Sequence, residues 1–214
     1  MNRSKRTAEM SPEDKSALLN DAVFYEIIFA LGVSDHDPSD YCVWEHLNFS
    51  RMGHARALIY FFECPEGSRR WPDDLLSEDF GFPARSIGLS QEDKDRLNKD
   101  LFHLSSLRLR HDAASKPWPH TILNRIHERC VEFVQFFLSP KLPSEISPIK
   151  SQWQALLNIL QSGHELRITR SFDYNDRDSG WMIGTGRSLG SGLAELTPLI
   201  PKHAPLPSFS TTET

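Results

Sequence analysis

Apolar residues recur at three- and four-residue steps through most of the first 160 positions, and that spacing predicts amphipathic helices. The first opens at Ser11-Pro12-Glu13-Asp14, where a capping serine, a proline at the first helical position and early acids favour a start. It runs to about Ala30, where Leu31-Gly32 stops it, and its apolar residues are Leu18, Leu19, Val23, Phe24, Ile27, Ile28 and Leu31. A second helix opens after Pro38-Ser39-Asp40 and ends at Phe62 or Glu63, before Pro65. On a helical wheel its inward stripe reads Trp44, Asn48, Arg51, Ala55, Leu58 and Phe62. Two polar groups on that stripe require partners, because a buried charge persists only when paired, and Glu26 or Asp21 are the acids expected to reach Arg51. Ser90 caps a third helix with Asp93 three residues on; Leu97, Leu101 and Leu104 form its stripe, and Arg96, His103 and Arg110 run along its flank. A fourth follows Pro117-Trp118-Pro119 and carries Ile122, Ile126, Cys130, Phe133, Val134 and Phe137. A shorter fifth spans residues 147–160 around Trp153, Leu156, Leu157 and Leu160.

The pattern changes between and after these helices. Residues 65–89 hold three prolines and a set of aromatics, Trp71, Phe80 and Phe82, and a connection of this length is packed by its own side chains or functional. Beyond Gly163, glycines and then prolines accumulate toward a Ser/Thr-rich end, the composition of a segment that buries little. Two short runs, 166–172 and 180–184, allow a weak hairpin there. The expected fold class is all-α: an antiparallel helical bundle of four to five helices with a flexible C-terminal tail. Residues 1–10 are expected to be disordered, 11–163 to form the bundle and 164–214 to form a tail dispensable for folding.

Composition narrows the class without naming a function. At 214 residues with 39% hydrophobic and 25% charged side chains, one core with polar extensions is the expected organisation. A net charge of −5 excludes a whole-surface nucleic-acid coat, though not a local basic site. Cys42, Cys64 and Cys130 are odd in number and lie among apolar neighbours, as expected of reduced thiols in the cytoplasm. No apolar run follows the basic N-terminus as a signal peptide requires, and none is long enough to span a membrane, so no membrane partner is expected.

Most motifs fail on inspection. Gly184-Thr-Gly186-Arg-Ser-Leu-Gly190 has one residue too many for a dinucleotide loop and no Gly-Lys-Ser/Thr for a P-loop. Asp173 to Asp178 has an arginine at a calcium-ligand position and no closing glutamate. The histidines lack zinc-ligand spacing, and no serine sits in a Gly-x-Ser-x-Gly elbow. Neither a metal nor a cofactor is expected.

Arg96 and His103 stand out. Two turns of helix return them to nearly the same face, where a fixed cation and a group titrating near neutrality could meet one phosphate. Residues 94–129 contain eight Lys/Arg against four Asp/Glu, a basic stretch in an acidic chain. Lys99, Arg108 and Arg110 are its candidate substrate contacts, and Asn48, Arg51 and His54 are candidate accessory polar groups. The bland alternative is a solvated flank in which Arg96 pairs with Asp93 or Asp100.

The Arg-x6-His pattern on a late helix, after two long helices, resembles the HEPN superfamily over residues 11–139. The polar-studded run from Asn48 to Arg56 is similar to the second helix of its bacterial members, while Leu97 follows the arginine where that family often has a polar residue. The resemblance implies a metal-independent endoribonuclease of defence or toxin–antitoxin systems, acting on RNA at a composite site where two protomers join late helices. Arg96 would bind phosphate and His103 would transfer the proton. Two other readings stay open: a non-catalytic RNA- or nucleotide-binding module, and a helical protein–protein adaptor.

Overall fold

The computed structural model describes residues 10–34, 41–101, 120–170, 181–186 and 197–198. Each predicted helix is present, the third as far as Leu101 with Leu104 outside the described residues, and the body is a helical bundle. Ser11 Oγ accepts the Asp14 amide and Pro12 occupies the first turn of α1 (Pro12–Leu18). A π-helical turn (Leu19–Val23) carries the helix without interruption into α2 (Phe24–Leu31). Gly32 closes it: a Cβ there would sit 2.5 Å from both Ile168 Cδ1 and the Ile28 carbonyl. Helix α3 (Tyr41–Glu63) packs on α2 and is ended by Pro65. Helix α4 (Gln91–Asp95), capped by Ser90, passes directly into a second π-helical segment (Arg96–Leu101). Helices α5 (His120–Phe137) and α6 (Lys150–Gln161) pack against each other and complete the bundle.

The core holds most of the described residues that the spacing selected, joined by residues of the strap and sheet; the side chains of Trp44, Leu101 and Leu104 lie outside the described set. Leu19, Val23, Phe24 and Ile27 meet Ala55, Leu58 and Phe62 of α3 and Ile126, Phe133, Phe137 and Trp153 of α5 and α6. On α3, however, Met52 rather than Asn48 or Arg51 is buried; both polar residues sit half-buried at the edge of the stripe. Seven aromatic rings, Phe61, Phe62, Phe80, Phe82, Phe133, Phe137 and Trp153, tile the centre in mostly edge-to-face pairs with centroids 4.2–6.5 Å apart.

Residues 65–89 form a packed strap. Its own Leu76, Phe80, Phe82, Ile87 and Leu89 are buried, and a left-handed Gly81 at φ 78° ends its 3₁₀ turn (Ser77–Phe80). The buried Arg129 guanidinium pins the strap to α5 by lying 4.1 Å from the Phe82 ring centroid and donating to the Pro83 carbonyl and to Glu132. Glu132 also takes Arg85; burial opposes its charge, but the two arginines hold its carboxyl below the usual range.

A small sheet of order β1-β2-β3-β4 flanks the bundle. It comprises β1 (Val33–Ser34), β2 (Glu165–Arg170), β3 (Trp181–Gly186) and β4 (Thr197–Pro198). β1 and β2 pair in parallel, Val33 with Arg167, and the other two pairings are antiparallel. The hairpin that the sequence allowed is therefore formed, with its first strand anchored: Leu166 and Ile168 belong to the core cluster. The segment expected to be dispensable for folding thus includes two buried residues, Leu166 and Ile168, the latter seated where Gly32 leaves room.

Candidate functional site

The polar groups singled out from sequence do not converge on one place. Arg96 is half-buried at the start of the second π-helical segment, and Lys99, more exposed, pairs with Asp95 at 3.3 Å. First the Gln91 amide and then the Lys99 ammonium hold the Asp95 carboxyl below its usual range. Arg51 does not reach Glu26 or Asp21; its Nε donates to the Ala30 carbonyl at 3.5 Å, at the C-terminal end of α2. Burial lowers the Arg51 pKa, and Glu165 on β2 opposes that shift. Glu26 pairs instead with His54 Nδ1 at 2.9 Å, and the imidazole packs against the paired rings of Tyr25 and Phe29. Asn48 is half-buried one turn before Arg51. His103, Arg108 and Arg110 lie outside the described residues.

A cleft of about 590 Å³ opens where the C-terminal half of α3, the start of the strap and the α4 helix meet. Its floor is one face of α3: Gly53, Arg56, Ala57, Tyr60, Glu63 and Cys64 recur at three- and four-residue steps. The facing wall carries Lys94, Leu97 and Asn98, with Leu97 buried to anchor the wall on α3. Two polar bridges join floor and wall, from Arg56 Nε to Asn98 Oδ1 at 2.6 Å and from Lys94 Nζ to Glu63 Oε2 at 2.6 Å.

The strap supplies the third side. Once Pro65 has stopped α3, a 3₁₀ turn (Glu66–Ser68) leads into Arg70 and Trp71. The Tyr60 hydroxyl donates to Asp74 Oδ2 at 2.8 Å and accepts the Arg70 amide at 2.8 Å, while the same carboxylate oxygen accepts the Trp71 amide at 3.0 Å. This network holds the backbone of Trp71 in place and leaves its ring 59% exposed beside the cleft, with the Arg70 guanidinium 5.9 Å from the ring centroid. Burial first, and then the Asp74 carboxylate against the opposing Arg70 amide, pushes the Tyr60 phenol up to about 12, so it stays protonated and donating at neutral pH. Cys64 is half-buried at this end and donates weakly to the Ser68 carbonyl at 3.4 Å.

Three cationic side chains, Arg56, Arg70 and Lys94, thus share a cleft with an exposed indole and with two carboxylates, Glu63 and Asp74, that are bound to Lys94 and Tyr60. That is the chemistry of a site for an anion bearing a flat ring. Sequence reasoning passed over it because its residues come from three segments with no motif between them. The one available signal was the Arg56, Tyr60, Glu63/Cys64 spacing on α3, next to an aromatic-rich connection. Among the described residues no cluster of three or more His, Cys, Asp or Glu is placed to hold a metal ion, and no helix is long and apolar enough to cross a membrane. Comparison with family models, curated proteins and solved structures found no match.

Proposed function

We propose that this protein is a helical nucleotide- or RNA-binding module whose ligand sits in the α3–strap–α4 cleft. The observation that carries the reading is the placement of the Trp71 ring and the Arg56, Arg70 and Lys94 charges around one cleft of about 590 Å³, within the size range of small-ligand sites. A base stacks on an exposed ring without regard to sequence, and the cations answer a phosphate. Arg96 joins the reading through position: the residues that follow it, Leu97 and Asn98, line the wall.

The test is calorimetric titration of the full chain with adenosine 5′-monophosphate and a single-stranded oligoribonucleotide at low and at moderate salt. Saturable binding that weakens with salt, and falls about tenfold in Trp71→Ala, is expected. Absence of binding at low salt overturns the reading. Analysis of the same RNA on a denaturing gel without metal decides the nuclease alternative: cleavage lost in both Arg96→Ala and His103→Ala would make the module an endoribonuclease, and intact RNA leaves it a binder.

A further inference from the structure

We propose that the cleft takes nucleic acid through an internal, singly charged phosphodiester rather than a terminal phosphate monoester, with Glu63 as the residue that disfavours the second charge; this rests on the nucleotide-binding reading above. Glu63 is fixed at the last turn of α3 from two sides. Its Oε1 accepts the Ile87 amide at 2.9 Å and the Ser86 hydroxyl at 3.2 Å, and its Oε2 takes Lys94 Nζ at 2.6 Å, with the two side chains 16% and 25% exposed. Asp74 is held on the strap side, where its Oδ2 accepts the Tyr60 hydroxyl and the Trp71 amide. The charged groups lining the cleft are thus Arg56, Arg70 and Lys94 against Glu63 and Asp74, three positive and two negative.

One positive charge is left in excess, and that balance selects the ligand. Attraction to the site grows in proportion to the ligand's charge, whereas the cost of removing its water grows as the square of that charge. The single charge of a phosphodiester matches the excess. A monoester carries about −1.5 to −2 near neutral pH, so its further charge is dehydrated beside two carboxylates with no lining cation left to match it. Backbone amides of the strap hold both carboxylates against swinging away. Lys94 brings little to a second charge, since Glu63 already matches it in partly dehydrated surroundings. The interior of an RNA strand offers only diesters, each bringing one charge beside a base that can stack on Trp71; a free nucleotide or a 5′-phosphorylated end brings the monoester.

Calorimetric titration of the full chain with adenosine 5′-monophosphate and with its 5′-O-methyl ester isolates the charge, because the two ligands share base and sugar. At about pH 7.5 the methyl ester, a diester, is expected to bind about fivefold more tightly. Glu63→Gln keeps an acceptor for the Ile87 amide and removes the charge, so it should strengthen the monophosphate more than the ester and shift their ratio about fivefold toward the monophosphate. Acid supplies a second arm if that variant folds poorly. Lowering the pH to about 5.5 protonates the monoester, whose second pKa is about 6, and should bring the two ligands within about twofold in the wild type. The ester does not titrate there and reports any change in the protein itself. On RNA, a 5′-phosphate should leave the affinity of an oligoribonucleotide unchanged within about twofold. Monophosphate affinity equal to or above that of the ester at the higher pH, a ratio untouched by folded Glu63→Gln or by acid, or a clear gain from a 5′-phosphate overturns the inference and leaves the binding function standing. Absence of binding by nucleotide and oligoribonucleotide alike takes down both.

Discussion

The chain uses one unusual backbone device twice, in regions that do different work. Each π-helical segment carries an asparagine whose Nδ2 donates to the carbonyl four residues earlier, Asn20 to Ser16 at 2.7 Å and Asn98 to Lys94 at 3.0 Å. At the first, Oδ1 accepts both the Ile149 amide and the Trp153 indole at 2.9 Å, Nδ2 also reaches the Ser147 carbonyl, and the Asn20 carbonyl takes Gln152. That asparagine is a rivet between the N-terminal helix and α6. At the second, Oδ1 accepts the guanidinium of Arg56 across an open cleft. The same asparagine device serves in both places, and the surroundings decide whether it joins two helices or lines a cleft.

Four measurements test that contrast. The largest effect is expected on the structural side, from ending the chain after Gly163. Loss of Leu166 and Ile168 from the core should cost about 4 kcal/mol in urea unfolding. A change below about 1 kcal/mol would mean that β2 is only draped on the bundle. Next, Asn20→Ala removes the partner of a buried indole and of the α6 start, and should cost about 3 kcal/mol. Its adenosine 5′-monophosphate affinity should stay at the wild-type value; a parallel loss of affinity would erase the distinction between the two segments.

On the cleft side the order reverses. Asn98→Ala should cost under about 1 kcal/mol of stability, since its bonds are exposed, yet weaken the monophosphate several-fold by releasing Arg56 from its orientation. The smallest effect is expected from Tyr60. Its phenol ionises near 12 in the fold against about 10 when unfolded, so the protonated form is the one the fold favours. That contribution is complete below about pH 10 and drains away as pH climbs toward 12. Spectrophotometric titration of the wild type against Tyr60→Phe should show a phenol titrating near 12. A midpoint near 10 would detach Tyr60 from Asp74 and loosen the presentation of Trp71.

The helices were legible because burial on one face writes a 3.6-residue period into the chain, as Ile27, Ile126 and Phe133 show. Cys130 was legible for the same reason: buried among apolar groups, its thiol is pushed up in pKa and stays a small hydrophobe. What the period does not encode is the identity of partners. Arg51 and His54 lie three residues apart on α3, yet one caps the end of α2 and the other takes Glu26; that choice depends on the rotation of α3 against α2. The cleft was hidden for a related reason. Asp74 meets Tyr60 and Lys94 meets Glu63 only after the strap has folded over the Phe82–Arg129 pair. Local spacing carries no trace of such a closure.

The pairing of Val33 with Arg167 joins positions separated by most of the chain. During vectorial synthesis the first helices and α3 can collapse onto one another early, but β1 waits at the end of α2 until the ribosome has released β2. Gly32 meanwhile keeps the place that Ile168 will fill free of any side chain of its own. A nascent bundle without β2 leaves that apolar slot uncovered, and filling it depends on a strand made about 130 residues later.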